Sequence, residues 1–287
     1  MKYSGIGGQA VIEGIMMMKG EDYAVAVRRP DKEIEVKKDT YQSITKKAKI
    51  LQLPFVRGVF RFADSMIIGM RSLTYSASFF EDDEDAEPGK FEQFLDRVFG
   101  EKLESAIMAA VLVISFILAI GIFMLLPLGI ANLFKGIITS DHLMAVLEGV
   151  IRIAIFIIYI KLVSRMEDIR RTFMYHGAEH KCINCVEHGH PLTVKYVRES
   201  SKEHKRCGTS FILIVMVISI LMFMVIRVDT IWMRILSRII LVPVIAGISY
   251  EVLQCAGRSN SKFMDLVSRP GMWMQGLTTK EPDDSMI

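Results

Sequence analysis

His176, Gly177, Ala178, Glu179 and His180 make an H-x-x-E-H sequence just past an apolar run and its arginine-rich flank. On a helix, residues i and i+4 share a face, so His176 and His180 can offer two imidazoles to one metal ion while Glu179 stays beside them. The order inverts the better known H-E-x-x-H, and its carboxylate is placed to take a proton from an attacking water, as in zinc hydrolases. Over five residues alone, a surface helix end that happens to carry two histidines would read the same way. The neighbourhood favours metal. His188, His190 and His204 and the cysteines Cys182, Cys185 and Cys207 crowd the same segment, so five of the six histidines lie there and only His142 lies elsewhere.

A catalytic zinc takes three protein ligands and leaves a fourth position to water. His204 is the first choice for the third donor, with Glu251 and then Cys207 as alternates; Glu251 would supply a carboxylate far downstream, as in H-x-x-E-H peptidases. Cys182-Ile183-Asn184-Cys185 is a C-x-x-C that could join Cys207 and Cys255 in a four-thiolate site, but the second half lacks a tight pair. No thioredoxin-like βαβ pattern surrounds it either. Gly177 costs about 1 kcal/mol against Ala inside a helix, which leaves open a turn at this point. That would keep the ligands but alter a peptidase geometry.

The elements that hold these residues are apolar. With 287 residues, 51% of them hydrophobic, and a mean hydropathy of +0.34, the chain reads as an integral membrane protein rather than a soluble domain. Ala106 to Ala131 has only Ser115 as a polar interruption and, at about 1.5 Å per residue, exceeds a hydrocarbon core of about 30 Å. Leu143 to Val163 is a second span and Phe211 to Ile226 a shorter third. Ile235 to Tyr250 is a fourth, in which Arg238, Pro243 and Gly247 leave room for a kinked or re-entrant segment. Ser164 to Ser210 collects nine Lys and Arg residues, whereas Ala131 to His142 holds only Lys135. The positive-inside rule then puts both termini and the His-rich loop in the cytosol of a multi-pass inner-membrane protein, although Arg227, Arg234 and Arg238 in the short third loop pull the other way. All four cysteines would lie on the reducing side. Met1 to Gly5 lacks the apolar core of a cleavable signal. A net charge of +3 without an arginine array interleaved with aromatics gives no reason to expect nucleic acid as a partner; the expected partner is the lipid bilayer.

Before the spans, Tyr23 to Lys38 reads as a hairpin turning at Arg29-Pro30-Asp31-Lys32. The stretch Gly5 to Gly14 lacks both the dinucleotide and the P-loop spacing, so its glycines read as turns flanking a strand. Val56, Phe60, Ala63, Ile67, Met70 and Leu73 recur at helical steps with Arg57, Arg61 and Asp64 on another side, an amphipathic helix that either lies in the bilayer interface or packs on the bundle. Glu81 to Gly89 is too charged to bury anything and reads as a solvated linker. Within the second span, Glu148 and Arg152 can pair on one face, as an interhelical lock in preference to an ion path.

Gly7 to Gly14 with Met16-Met17, Tyr175 to Lys181, Arg206 to Ser210 and Gly276 to Thr279 together resemble the YqhQ family of bacterial membrane proteins, over nearly the whole chain. That resemblance implies a predicted metal-dependent enzyme of uncharacterised function, and it implies Thr where this sequence has Cys182. The expected architecture is mainly α: a polytopic helical membrane protein of about four spans with a small cytosolic α+β N-terminal module. Its expected divisions are 1–80 (hairpin plus amphipathic helix), 81–90 (acidic linker), 91–163 (two spans), 164–210 (His/Cys-rich loop), 211–250 (two spans) and 251–287 (tail). The expected activity is that of a zinc (or other divalent metal) hydrolase, with a peptidase as its narrower form, with His176, His180 and His204 as ligands and Glu179 as general base. A non-enzymatic scaffold or assembly factor with a closed structural metal site is the rival, and small-solute transport a third reading.

Overall fold

The computed structural model describes residues 3–80, 103–226, 230–259 and 261–287; the acidic stretch Glu81 to Gly89, Arg227 and the side chains of Arg234 and Arg238 lie outside what it describes. The chain divides into two compact units, Met1–Phe80 with Tyr159–Ile287, and Glu81–Ile158. It is mainly helical, with one small antiparallel sheet at the N-terminus.

The sheet has four strands in the order β1 (Ile6–Val11), β2 (Gly14–Lys19), β3 (Asp22–Arg28) and β4 (Ile34–Thr40). The expected hairpin is β3 and β4, closed by the Arg29 N–H donating to the Glu33 carbonyl at 2.9 Å. The glycine-rich stretch is itself strand: β1 pairs with β2 across Ile12-Glu13, where Glu13 has a φ of 49°. Gly14 is needed there because a Cβ would overlap the Ala26 carbonyl of β3. Val11, Met16, Tyr23, Val25 and Val27 alternate onto one side and form a core with Tyr41 and Ile68.

The amphipathic helix α1 spans Val56–Ala77. Its small and polar face is the one that packs. Gly58, Asp64, Ile68, Gly69, Ser72 and Ser76 are buried, while Phe62, Met66, Ile67, Met70 and Leu73 are exposed. Asp64 satisfies the reversal by accepting from the Tyr41 hydroxyl at 2.9 Å, from the Ile44 N–H at 3.0 Å and from Ser43.

Among the described residues, four helices are long and apolar enough to cross a membrane: Ala110–Asn132, Asp141–Val163, Gly208–Val225 and Ile239–Arg258. In the Glu81–Ile158 unit, α2 (Leu103–Ile120) passes through a π-turn at Gly121–Leu125 into α3 (Leu126–Asn132). Pro127 has no N–H to give the Phe123 carbonyl, and Arg152 of α4 (Asp141–Val163) donates to that oxygen at 3.0 Å while pairing with Glu148 at 2.6 Å. The charge pair thus fills a gap left by proline, which is the geometry of a lock. In the other unit, α5 (Glu167–Glu187) and the short α6 (Val194–Glu199) lead to α7 (Gly208–Val225), α8 (Ile231–Arg258) and α9 (Lys262–Thr278). α8 continues through Pro243 without a break.

Candidate metal centre

H-x-x-E-H lies on α5, which runs unbroken through Gly177. The glycine has a packing reason: the extended segment after α9 crosses the helix here, and a Cβ at 177 would overlap the Lys280 carbonyl. Lys280 N–H donates to the Phe173 carbonyl at 2.8 Å, and Glu281 pairs with the buried Lys181 at 2.7 Å. The segment is therefore strapped along the helix that carries the histidines.

Each imidazole is oriented by a backbone carbonyl. Nδ1 of His176 lies 2.9 Å from the Thr278 oxygen and Nδ1 of His180 lies 2.7 Å from the Lys202 oxygen. A carbonyl can only accept, so Nδ1 carries a proton in both rings and Nε2 is the atom left to face a cation, the arrangement that metal-ligating histidines use. Nε2 of His176 lies 3.3 Å from Sγ of Cys207, the residue preceding α7. The ligand atoms of His176, His180 and Cys207 all lie within 4.8 Å of one another. Tetrahedral zinc with bonds of about 2.0–2.3 Å holds its ligands about 3.3–3.8 Å apart, so this nitrogen, nitrogen and sulfur set fits a zinc-like cation after small shifts.

Glu179 completes the site. Its side chain is 4% exposed, with Oε2 3.5 Å from His180 Nε2. Burial pushes its carboxyl up to about 7, against a smaller downward pull from His176. β1 closes over it, and a Cβ at Gly8 would lie 2.7 Å from Glu179 Cγ and Oε1.

The other candidates are placed differently. His204 is buried near His180, with ring centroids 5.9 Å apart, but its Nε2 lies 3.4 Å from Glu187 Oε2 and outside the group of three. Burial first, then the Arg206 charge, pushes its imidazole down to about 4, so it stays neutral beside Glu187. Burial also pushes Glu187 up, but the Ser4 N–H, Arg206 and the Ser4 hydroxyl more than reverse this and hold it at about 2. Glu251 is engaged elsewhere, accepting from Arg57 Nε at 2.7 Å and Nη2 at 2.6 Å. Among the described residues the four thiols form no cluster: Cys185 is turned to the His190 and Pro191 carbonyls, Cys255 is exposed, and burial pushes the Cys182 thiol up to about 11, unlike a redox-active thiolate.

Sequence reasoning did not single out the residues that orient the donors. Thr278 and Lys202 act through carbonyls, which carry no side-chain signature, and Gly8 acts through the side chain it lacks. Gln275 is buried, receiving the His204 N–H at 2.9 Å and donating to the His204 carbonyl at 2.8 Å and to Ser210 at 2.7 Å. One signal was available: Gly7 to Gly14, Arg206 to Ser210 and Gly276 to Thr279, set apart by their family resemblance, are segments that meet α5.

Comparison with known proteins bears out the family part of that resemblance. The family described as "Protein of unknown function (DUF1385)" matches residues 53–287. The chain is similar to the "Uncharacterized protein YqhQ" of Bacillus subtilis (strain 168), 34% identical over 282 residues that cover 98% of this chain and 88% of that protein. No solved structure matches.

Proposed function

We propose, for a chain that belongs to the DUF1385 family, that it is a metal-dependent hydrolase working at the cytosolic face of a membrane. The observation that supports this most is the pairing of an open three-donor set, His176, His180 and Cys207, with a buried carboxyl whose proton is held near neutrality. A structural site is closed by four protein donors; among the described residues three converge, which favours catalysis over the scaffold reading.

A divalent cation bound there would polarise a substrate carbonyl and make water more acidic. The chain's own part is positional. Thr278 and Lys202 fix both rings, Thr209 Oγ1 lies 3.0 Å from Cys207 Sγ, and Glu179 takes the proton from water and returns it to the leaving group. The lid of β1 over Glu179 keeps bulk water from screening these charges.

The membrane part of the proposal rests on the four apolar helices and on α1. α1 crosses α8 where Gly58 meets Gly247 and Tyr250, and Phe62 lies 5.3 Å from Phe211 at the start of α7. Its exposed apolar stripe thus lies alongside two of these apolar helices, which supports assigning it to the lipid interface. The basic residues between Ser164 and Ser210 support a cytosolic placement of the start of α7.

Metal analysis of detergent-purified protein tests the reading. One equivalent of metal is expected in the wild type, a loss of at least tenfold in His176→Ala and in Cys207→Ser, and full retention in Glu179→Gln, with hydrolysis of membrane-protein fragments reduced by 10²-fold or more. Loss of metal from Glu179→Gln would make the carboxylate a ligand, and metal bound equally by Cys207→Ser would remove the proposed donor set.

A further inference from the structure

Resting on the hydrolase reading, we propose that the substrate is an extended polypeptide segment, captured by adding as one more strand to the open edge of β1.

β1 is the outer strand of the sheet, so one side of its backbone has no strand beside it among the described residues. The register shows which groups face that way. The two-residue connection closes at Val11↔Gly14, so Val11, Gln9 and Gly7 exchange hydrogen bonds with β2, and the N–H and C=O groups of Gly8 and Ala10 point outward. Gly7 and Gly8 are exposed, and even a Cβ on Gly7 would meet nothing within 4 Å. A strand without side chains lets another backbone approach closely.

The edge lies beside the metal donors. At about 100° per residue, and taking His176 as 0°, His180 falls near 40°, Gly177 near 100° and Glu179 near 300°. β1 packs on the Glu179 flank and the segment after α9 on the Gly177 flank, so His176 and His180 lie between two walls of extended backbone. Glu13, in the β1–β2 connection, binds Arg171 at 2.6 Å and reaches the Tyr175 hydroxyl at 3.4 Å, near 220° and 260° on the same wheel. β1 thus runs along the flank of α5 beside the histidines, and strand capture places its open edge on their side. A strand added about 4.8 Å from β1 would run over Glu179 and His176.

Capture through main-chain amides reads backbone and tolerates many side chains, so the substrate class is an unfolded segment rather than a folded domain or a small solute. The chemistry balances with water alone. Its oxygen adds to the amide carbon, the C–N bond breaks, and the proton taken by Glu179 passes to the leaving nitrogen, which restores the carboxylate.

The test uses full-length protein in detergent and a pool of unstructured ten-residue peptides, beside the same pool N-methylated at alternate amides. Binding of the plain pool should slow amide exchange at Gly8 and Ala10 by tenfold or more, and the N-methylated pool should bind at least tenfold more weakly. Ala10→Pro removes one outward N–H without touching the β1–β2 ladder, and should weaken binding similarly while metal content and Tm hold. Peptides that bind without protecting Gly8 and Ala10, or equal binding of both pools, would overturn strand capture even if the Pro variant failed to fold. His176→Ala/His180→Ala separates the two readings: protection at Gly8 and Ala10 without cleavage by any form leaves strand capture standing and sinks the hydrolase.

Discussion

Two buried carboxylates on α5 have opposite fates because their neighbours differ. Glu179 lies among imidazoles and under the β1 backbone, so desolvation outweighs the pull of His176 and its proton is held up to about 7. Glu187, two turns on, takes four hydrogen bonds, from the Ser4 N–H and hydroxyl, Arg206 and His204, and those from Ser4 and Arg206 outweigh its desolvation. The sign of its effect on stability follows. A carboxyl at about 2 in the fold and at about 4.5 in the unfolded chain adds stability above pH 4.5, and that stability is lost as pH falls toward 2. Thermal melts of the detergent-solubilised protein between pH 6 and 3 should show a falling Tm, by an increment on the order of 1 kcal/mol after allowance for screening. Glu187→Gln should melt lower at pH 6 and lose the acid slope; a slope unchanged in that variant would place the titrating group elsewhere. Ser4 is the reason this residue matters to the site, since the Glu187 contact pins the start of β1, four residues before Gly8 covers Glu179.

At the scale of elements, α5 works because the segment after α9 lies flat against it. Helix propensity alone would favour Gly177→Ala by about 1 kcal/mol. The added methyl would instead strike the Lys280 carbonyl, a backbone atom held by its own hydrogen bonds, and overpacking of that kind costs about 1–3 kcal/mol. The second effect is the larger, so Gly177→Ala should lower Tm, speed proteolysis of the tail beyond Thr279 and weaken metal retention through the displaced Thr278 carbonyl. A raised Tm would mean that the tail leaves the helix easily and does not position His176. The π-turn at Gly121–Leu125 obeys the same logic: Pro127 frees a carbonyl, and a side chain from α4 satisfies it.

For the whole molecule, the arrangement of apolar surface decides the architecture. α1 turns Gly69, Ser72 and Ser76 inward and leaves Met66 62% and Met70 59% exposed, the reverse of a helix in water. With the bilayer as solvent the pattern becomes regular. A photoreactive amino acid replacing Met66 or Met70 should crosslink to lipid in native membranes, and crosslinks to protein alone would show that another chain covers the stripe. The apolar helices, the β3–β4 hairpin, the amphipathic period of α1 and the joint placement of His176 and His180 were all legible in the sequence, because each depends on residues within a few turns of one another. Which side of α1 packs was not, since a period marks two faces without saying which solvent each will meet. The company of the histidines was likewise hidden. His204, Cys207 and Glu251 are comparable donors on paper, and only long-range contacts set Cys207 beside His176, turned His204 to Glu187 and drew Glu251 to Arg57. Local spacing is written in the chain because the helix repeat is universal, whereas convergence of β1, the start of α7 and the end of α9 on α5 is decided by close approaches at Gly8 and Gly177 and by carbonyls that any residue could supply.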